Sequence, residues 1–151
     1  MAPQTPRVTV DVVIRLKDEP EGLVLIERRH PPYGLALPGG FVDVGEWVED
    51  AARREAYEET GLCVTLETLL GCYSDPQRDP RGHTVSLVYV GAAEGRPRAG
   101  SDAAACQVVP ARRTDLPLVF DHARILEDYR DFLRTGTLPR PRPGNVTAAI
   151  P

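Results

Sequence analysis

The chain has 151 residues, 42% of them apolar, and a formal net charge of −4 at pH 7. That length and apolar content suit one globular domain with a substantial core and no need of disulfide staples, and a multidomain regulator is hard to fit into them. The acidic balance gives no basic footprint for DNA or RNA, and no apolar run approaches a signal peptide or the ~20 residues of a membrane span, so the expected protein is soluble and cytoplasmic. Cys63, Cys72 and Cys106 are odd in number and lack the close pairs of zinc sites, so each reads as a small buried hydrophobe in a reducing compartment.

In chain order, residues 1–6 read as a flexible N-terminus, 7–137 as a single folded domain and 138–151 as a disordered Pro/Arg-rich tail. Residues 8–16, VTVDVVIRL, alternate as a strand. A turn over 17–22 leads into a second short strand, 23–27, to make a hairpin. Asp11 inside the first strand is expected to face solvent at a sheet edge. Gly39 and Gly40 then precede a helical stretch, where a missing side chain lets the backbone approach a ligand or adopt positive φ.

Within 40–62, GFVDVGEWVEDAARREAYEETGL, the helix places Glu55, Glu58 and Glu59 three and four residues apart on one face, while Val48, Ala51, Ala52 and Ala56 supply apolar contacts. Like charges brought to about 5 Å at an effective dielectric of 20 repel by roughly 3 kcal/mol. Arg53 and Arg54 offset part of this. Three oxygen ligands on one face also suit a hard divalent cation, Mg²⁺ or Mn²⁺, whereas the bland alternative is an acidic solvated helix face. Gly61 stands where a helix C-cap glycine belongs, and Leu62 can pack back beneath the turn.

Further along, residues 64–73 and 84–92 are β-rich and flank the loop YSDPQRDPRGH. Residues 121–134 form a second helix, with Ile125, Leu126, Tyr129 and Leu133 at helical spacing. Strands that surround one helix and end in another predict an α/β/α sandwich around a mixed β-sheet.

Gly40, Glu46 and the run Arg54-Glu55-Ala56-Tyr57-Glu58-Glu59-Thr60-Gly61-Leu62 together resemble the Nudix box. Seven such matches would meet by chance at one site with a probability on the order of 10⁻⁸. The resemblance implies the Nudix fold, with the catalytic loop-helix-loop at 40–62, and hydrolysis of a diphosphate link by water. It implies Arg54, Glu55, Glu58 and Glu59 as catalytic residues, Glu55, Glu58 and Glu59 with the backbone of Gly40 as metal ligands, and Glu46 as a support of the loop. Bridged metals would neutralise the phosphates and activate water.

The stretches ALPGGFVDVGE, YSDPQRDPRGHTVSLVY and LPLVFDHARIL are similar to the compact ADP-ribose pyrophosphatases of bacteria and archaea. That likeness implies cleavage of ADP-ribose, or a related nucleoside diphosphate derivative, to AMP and ribose 5-phosphate. The alternatives are a (deoxy)nucleoside triphosphate pyrophosphohydrolase of the sanitising type and, in another class, a non-catalytic ADP-ribose sensor. Candidate substrate contacts are Arg28 and Arg29 for a diphosphate, Tyr33 for a base, and Arg78 and Arg81 as forked donors in the Pro-stiffened loop. The plain alternatives are exposed charges, a core-edge ring, and a rigid loop whose Asp and Arg pair with each other. His122 has the look of a family feature, although a lone His is more often structural. Glu94 and Asp102 are the candidates for a loop carboxylate, and the general base is open. The expected partner is a small nucleoside diphosphate derivative, with no nucleic acid and no membrane. Family members are commonly homodimers, and the N-terminal strand could contribute an edge.

Overall fold

The computed structural model describes residues 1–144, so the last seven residues of the expected disordered tail lie outside the described part. Nine elements follow in order: β1 (Arg7–Leu16), β2 (Gly22–Arg28), β3 (Leu35–Ala36), β4 (Gly39–Phe41), α1 (Val48–Thr60), β5 (Thr65–Tyr73), β6 (Thr84–Ala93), β7 (Ala103–Pro110) and α2 (His122–Thr135). The main path of the sheet runs β3-β2-β1-β6-β5, with β4 attached to β1 and β7 to β2. β1 and β6 pair in parallel through ten register partners, and the other pairings are antiparallel, so the sheet is mixed. Among the described residues, no helix is long and apolar enough to cross a membrane.

Strand alternation divides the core between two faces. Val10, Val12 and Ile14 of β1 and Val24 of β2 pack against Ala51, Ala52 and Ala56 of α1. On the other face Val13, Leu23 and Leu25 pack against Ile125, Leu126 and Tyr129 of α2. The small alanines let α1 sit close to the strands, which the box composition anticipates. One layer of helix therefore covers each face, the expected α/β/α arrangement. Gly61 ends α1 in the left-handed region at φ 69°, its N–H donating to the Tyr57 carbonyl, and Leu62 is buried beneath it.

Two expectations change. β1 is not an edge: it lies between β6 on one side and β2 and β4 on the other, and Asp11 within it is buried. Cys63 and Cys72 are exposed and Cys106 is half-buried, because Cys63 follows the helix cap and Cys72 lies on β5 at the end of the sheet path. Residues 138–144 have no regular secondary structure, but Arg142 pairs with Asp128 of α2 at 2.6 Å.

Candidate active site

The cleft arises from a fork in the sheet. β1 and β2 share a single register pair, Arg15 with Leu23, next to their hairpin turn. Beyond it they separate. The first half of β1 bonds β4 through Thr9, Val10 and Asp11, while the far half of β2 bonds β3 through Ile26 and Glu27 and β7 pairs with β2 along its whole length. The gap between the diverging strands is a cleft of about 290 Å³, bordered by Asp11 of β1, Arg28 of β2, Gly39 and Gly40 of β4, and Glu55 and Glu59 of α1.

Glycine at 39 and 40 is required by contact, not by backbone conformation. Neither has positive φ, which corrects that expectation. A Cβ on Gly39 would meet the Val10 carbonyl, and one on Gly40 would fall on the Glu55 carboxylate. β4 thus brings its backbone directly against both β1 and the acidic face of α1.

Arg54 ties the loop to the helix. Its Nε and Nη2 donate to the two Glu46 oxygens at 2.7 and 3.0 Å, Nη1 donates to Glu55 at 2.9 Å, and Nη2 also reaches the Phe41 carbonyl at 3.0 Å. Forked bonds of this kind are strong and directional. They hold the Glu46 carboxyl down at about 2 and raise the Arg54 guanidinium, in both cases chiefly through the Glu46 to Arg54 bond. Glu46 also accepts the Asp43 N–H at 3.0 Å, so it supports the loop as expected.

Glu59 is 6% exposed, and its Oε2 accepts the Gly39 N–H at 2.9 Å. Burial, with further repulsion from Glu55 and Asp11, pushes its carboxyl up to about 8 against the pull of Gly39 and Arg28. Glu55 is raised too, mainly by burial. Glu58 is the outer member of the patch: its side chain is 44% exposed, shares Arg54 Nη1 with Glu55 at 3.4 Å, and does not border the cleft. Among the described residues no three acidic, His or Cys side chains are close enough together to hold a metal ion as they stand. The donor set nonetheless fits a hard cation, because the half-buried Glu55, the buried Glu59, which has no ion pair among the described residues, and the close backbone of Gly40 offer oxygen ligands together. Arg53 takes no part and pairs with Asp50.

Arg28, Arg78 and Arg81 border the cleft, while Arg29 and Tyr33 do not. Arg28 ends β2, so the next side chain points the other way, and Arg29 donates to the Ala103 carbonyl at 3.3 Å. Tyr33 is 70% exposed on the turn after β2. Arg78 is a correction of another kind. Its side chain is 3% exposed, its fork is consumed by Asp121 at 3.0 and 2.7 Å, and Nη1 donates to Thr84 at 2.8 Å. It fastens the loop to α2 in place of offering donors to a ligand. Arg81 pairs with Asp79, so the plain reading of this loop as internally paired also holds in part.

Sequence reasoning undervalued Asp11. It accepts from Ser86 Oγ at 2.5 Å and lies 3.3 Å from His122 Nε2 and 3.6 Å from Arg78 Nη2. His122 Nδ1 accepts the Leu37 N–H at 3.0 Å, which places the imidazole proton on Nε2, facing Asp11. The readable signal was an acidic residue in the middle of an otherwise apolar strand. Of the two loop carboxylates, Asp102 borders the cleft, whereas Glu94 is paired with Lys17 outside it.

The family described as NUDIX domain matches residues 5–129. An ADP-ribose pyrophosphatase of Methanocaldococcus jannaschii is 44% identical over 128 residues, 82% of this chain and 73% of that one. A putative 8-oxo-dGTP diphosphatase of Bacillus subtilis is 32% identical over 115 residues, covering 76% and 74%. Among solved structures, the NUDIX domain of Shewanella oneidensis NrtR complexed with ADP ribose superposes with a TM-score of 0.75 at 25% identity, covering 86% of this chain and 90% of that one. A MutT/nudix family protein from Enterococcus faecalis gives 0.75 at 28% identity, and this chain spans 64% of its length.

Proposed function

The chain belongs to the Nudix family, and from that membership we propose that it is a hydrolase that splits the diphosphate of ADP-ribose, or of a closely related nucleoside diphosphate derivative, into AMP and ribose 5-phosphate. The observation that carries this reading is the polarity of the cleft: crowded carboxylates on α1 and the guanidiniums of Arg28 and Arg81 border the same cavity of about 290 Å³. The relative that shares 44% identity is an ADP-ribose pyrophosphatase, and it favours this substrate among diphosphates.

Nudix hydrolases depend on divalent metal, and here Glu55, Glu59 and the Gly40 backbone would hold Mg²⁺ or Mn²⁺, with Glu58 beside them on Arg54. When bound, the cation neutralises phosphate charge and eases attack by water. Arg54 keeps the loop and helix carboxylates in register through Glu46 and Glu55. Glu59, whose carboxyl burial raises to about 8 without a cation, would give up that proton on binding one, so metal binding at this residue is expected to weaken as pH falls below neutral. Arg28 and Arg81 draw the anionic substrate into the cleft and bind it there.

The Bacillus relative supports a second reading, cleavage of a nucleoside triphosphate to monophosphate and pyrophosphate. Product analysis separates the two. The purified protein is incubated with ADP-ribose, NADH, nucleotide sugars and dNTPs, each with Mg²⁺, Mn²⁺ or EDTA. Metal-dependent release of AMP and ribose 5-phosphate, with highest kcat/KM on ADP-ribose, is expected. Pyrophosphate release at higher kcat/KM from a triphosphate would move the function to the second reading, and ADP-ribose binding without turnover would make the protein a sensor.

A further inference from the structure

The wall facing the carboxylates is an alternating series of guanidiniums and rings. The Cζ atoms of Arg28 and Arg81 lie 5.0 and 5.2 Å from the ring centroid of Phe120. Arg81 is also 5.4 Å from the ring of Phe41, and Arg7 is 4.8 Å from that same ring. An aromatic face attracts each cation, so one ring can keep close two charges that would otherwise separate.

Each of the two cleft guanidiniums is anchored on one side only. Arg28 donates Nε to the Pro32 carbonyl at 2.8 Å and Nη2 to that of Pro31 at 3.4 Å. Arg81 donates Nε and Nη2 to Asp79 at 3.1 and 2.9 Å. Among the described residues, neither Nη1 has a hydrogen-bond partner. Burial and the charge of Arg81 both hold Arg28 below its usual pKa, so an anion between them would relieve the pair.

Phe120 itself has φ 56°, a left-handed backbone that a bulky aromatic residue seldom adopts. The turn is fastened on both sides, by Val119 N–H to the Leu35 carbonyl at 2.9 Å and by Asp121 in the fork of Arg78. Strained residues so over-determined by their surroundings concentrate at functional clefts.

We propose that Phe120 is a positioning residue for anion recognition: its ring, fixed by the strained turn, makes Arg28 and Arg81 a single clamp whose free Nη1 groups take the substrate diphosphate opposite the box carboxylates. This rests on the reading of the cleft as a diphosphate site and adds the residue that couples its two arginines. A ring that only filled space would act on stability and not on affinity.

Phe120→Leu keeps apolar bulk and removes the aromatic face, Phe120→Tyr restores the face, and Phe120→Gly removes the ring while relieving the backbone. Kinetics are measured on whichever diphosphate or triphosphate the wild type turns over, and ADP binding is measured by calorimetry in EDTA. Phe120→Leu and Phe120→Gly are expected to raise KM and weaken ADP binding by about tenfold, with kcat within about twofold and, for Phe120→Gly, no loss of melting temperature. Phe120→Tyr is expected to match the wild type. Unchanged KM and ADP affinity in Phe120→Leu, or losses that follow the melting temperature, would overturn the clamp. Because ADP binding needs no turnover, a wild type that ignores ADP-ribose refutes the substrate reading and still leaves the clamp decided.

Discussion

Replacing Glu59 by Gln should remove a pH dependence of stability that the wild type shows in EDTA. Burial holds this carboxyl near 8 in the folded chain, against 4.5 as the ordinary value. A folded-state pKa raised in this way stabilises below the unfolded value and loses that stabilisation as pH rises through the folded one. The window is therefore about pH 4.5 to 8. Between pH 5 and pH 8 the linkage integral is about 3 kcal/mol, at 1.36 kcal/mol per pH unit of displaced titration. For a domain of this size that corresponds to roughly 10 °C in melting temperature. Glutamine keeps an oxygen to accept the Gly39 N–H and carries no charge, so Glu59→Gln should flatten the wild-type decline over this window. The assay is thermal unfolding of both proteins at half-unit pH steps in EDTA, repeated with Mg²⁺. Mg²⁺ should restore the wild type at pH 8 and leave the variant nearly unmoved. Parallel wild-type and variant profiles in EDTA would refute the account of Glu59 as a buried carboxyl short of positive charge.

Other residues test the remaining parts of the site. Gly40→Ala puts a methyl on the Glu55 carboxylate, so the Mg²⁺ concentration for half-maximal activity should rise at least about tenfold in a folded protein; an unchanged metal titration would remove Glu55 from the cation. Arg78→Leu removes the ion pair of the half-buried Asp121 and a positive charge beside the buried Asp11, and should cost about 3 kcal/mol in denaturant unfolding. A rise in KM without loss of stability would return Arg78 to the substrate contacts. Arg81→Ala should chiefly raise KM for the preferred substrate, and equal losses on every diphosphate would indicate loop collapse.

The parts of this site written in one short stretch were legible. Glu46, Arg54, Glu55 and Glu59 lie within a single loop and helix, where fixed spacing sets their relative positions. Spacing also proposed Glu58, which shares Arg54 Nη1 with Glu55 but stands at the exposed rim of the patch. The hairpin and both helices followed from periodicity, but β3 and β4, of two and three residues, are too short for any period, and β7 passed unread behind a run of alanines. Asp11 joins Ser86 and His122 only after the sheet has formed, and adjacent residues such as Arg28 and Arg29 differ by strand direction alone. Arg78 and Arg81 share one loop and both border the cleft, yet only the folded positions of Asp121 and Thr84 show that the donors of Arg78 are taken up internally.

The ten-partner parallel ladder between β1 and β6 has a consequence for how the chain reaches this state. Its register joins Arg7 to Thr84 and Leu16 to Ala93, so the longest pairing in the sheet is also one of high sequence separation. Such topology makes folding slow, since a large loop must close before the ladder repays it. During synthesis the first strand emerges early and lacks its main neighbour until residue 93 has followed, leaving the apolar run VTVDVVI without its partner. The acidic Asp11 interrupts that run. The carboxylate that borders the cleft in the folded chain thus also puts a charge in the middle of an apolar segment, and such charges lower the tendency of exposed strands to self-associate.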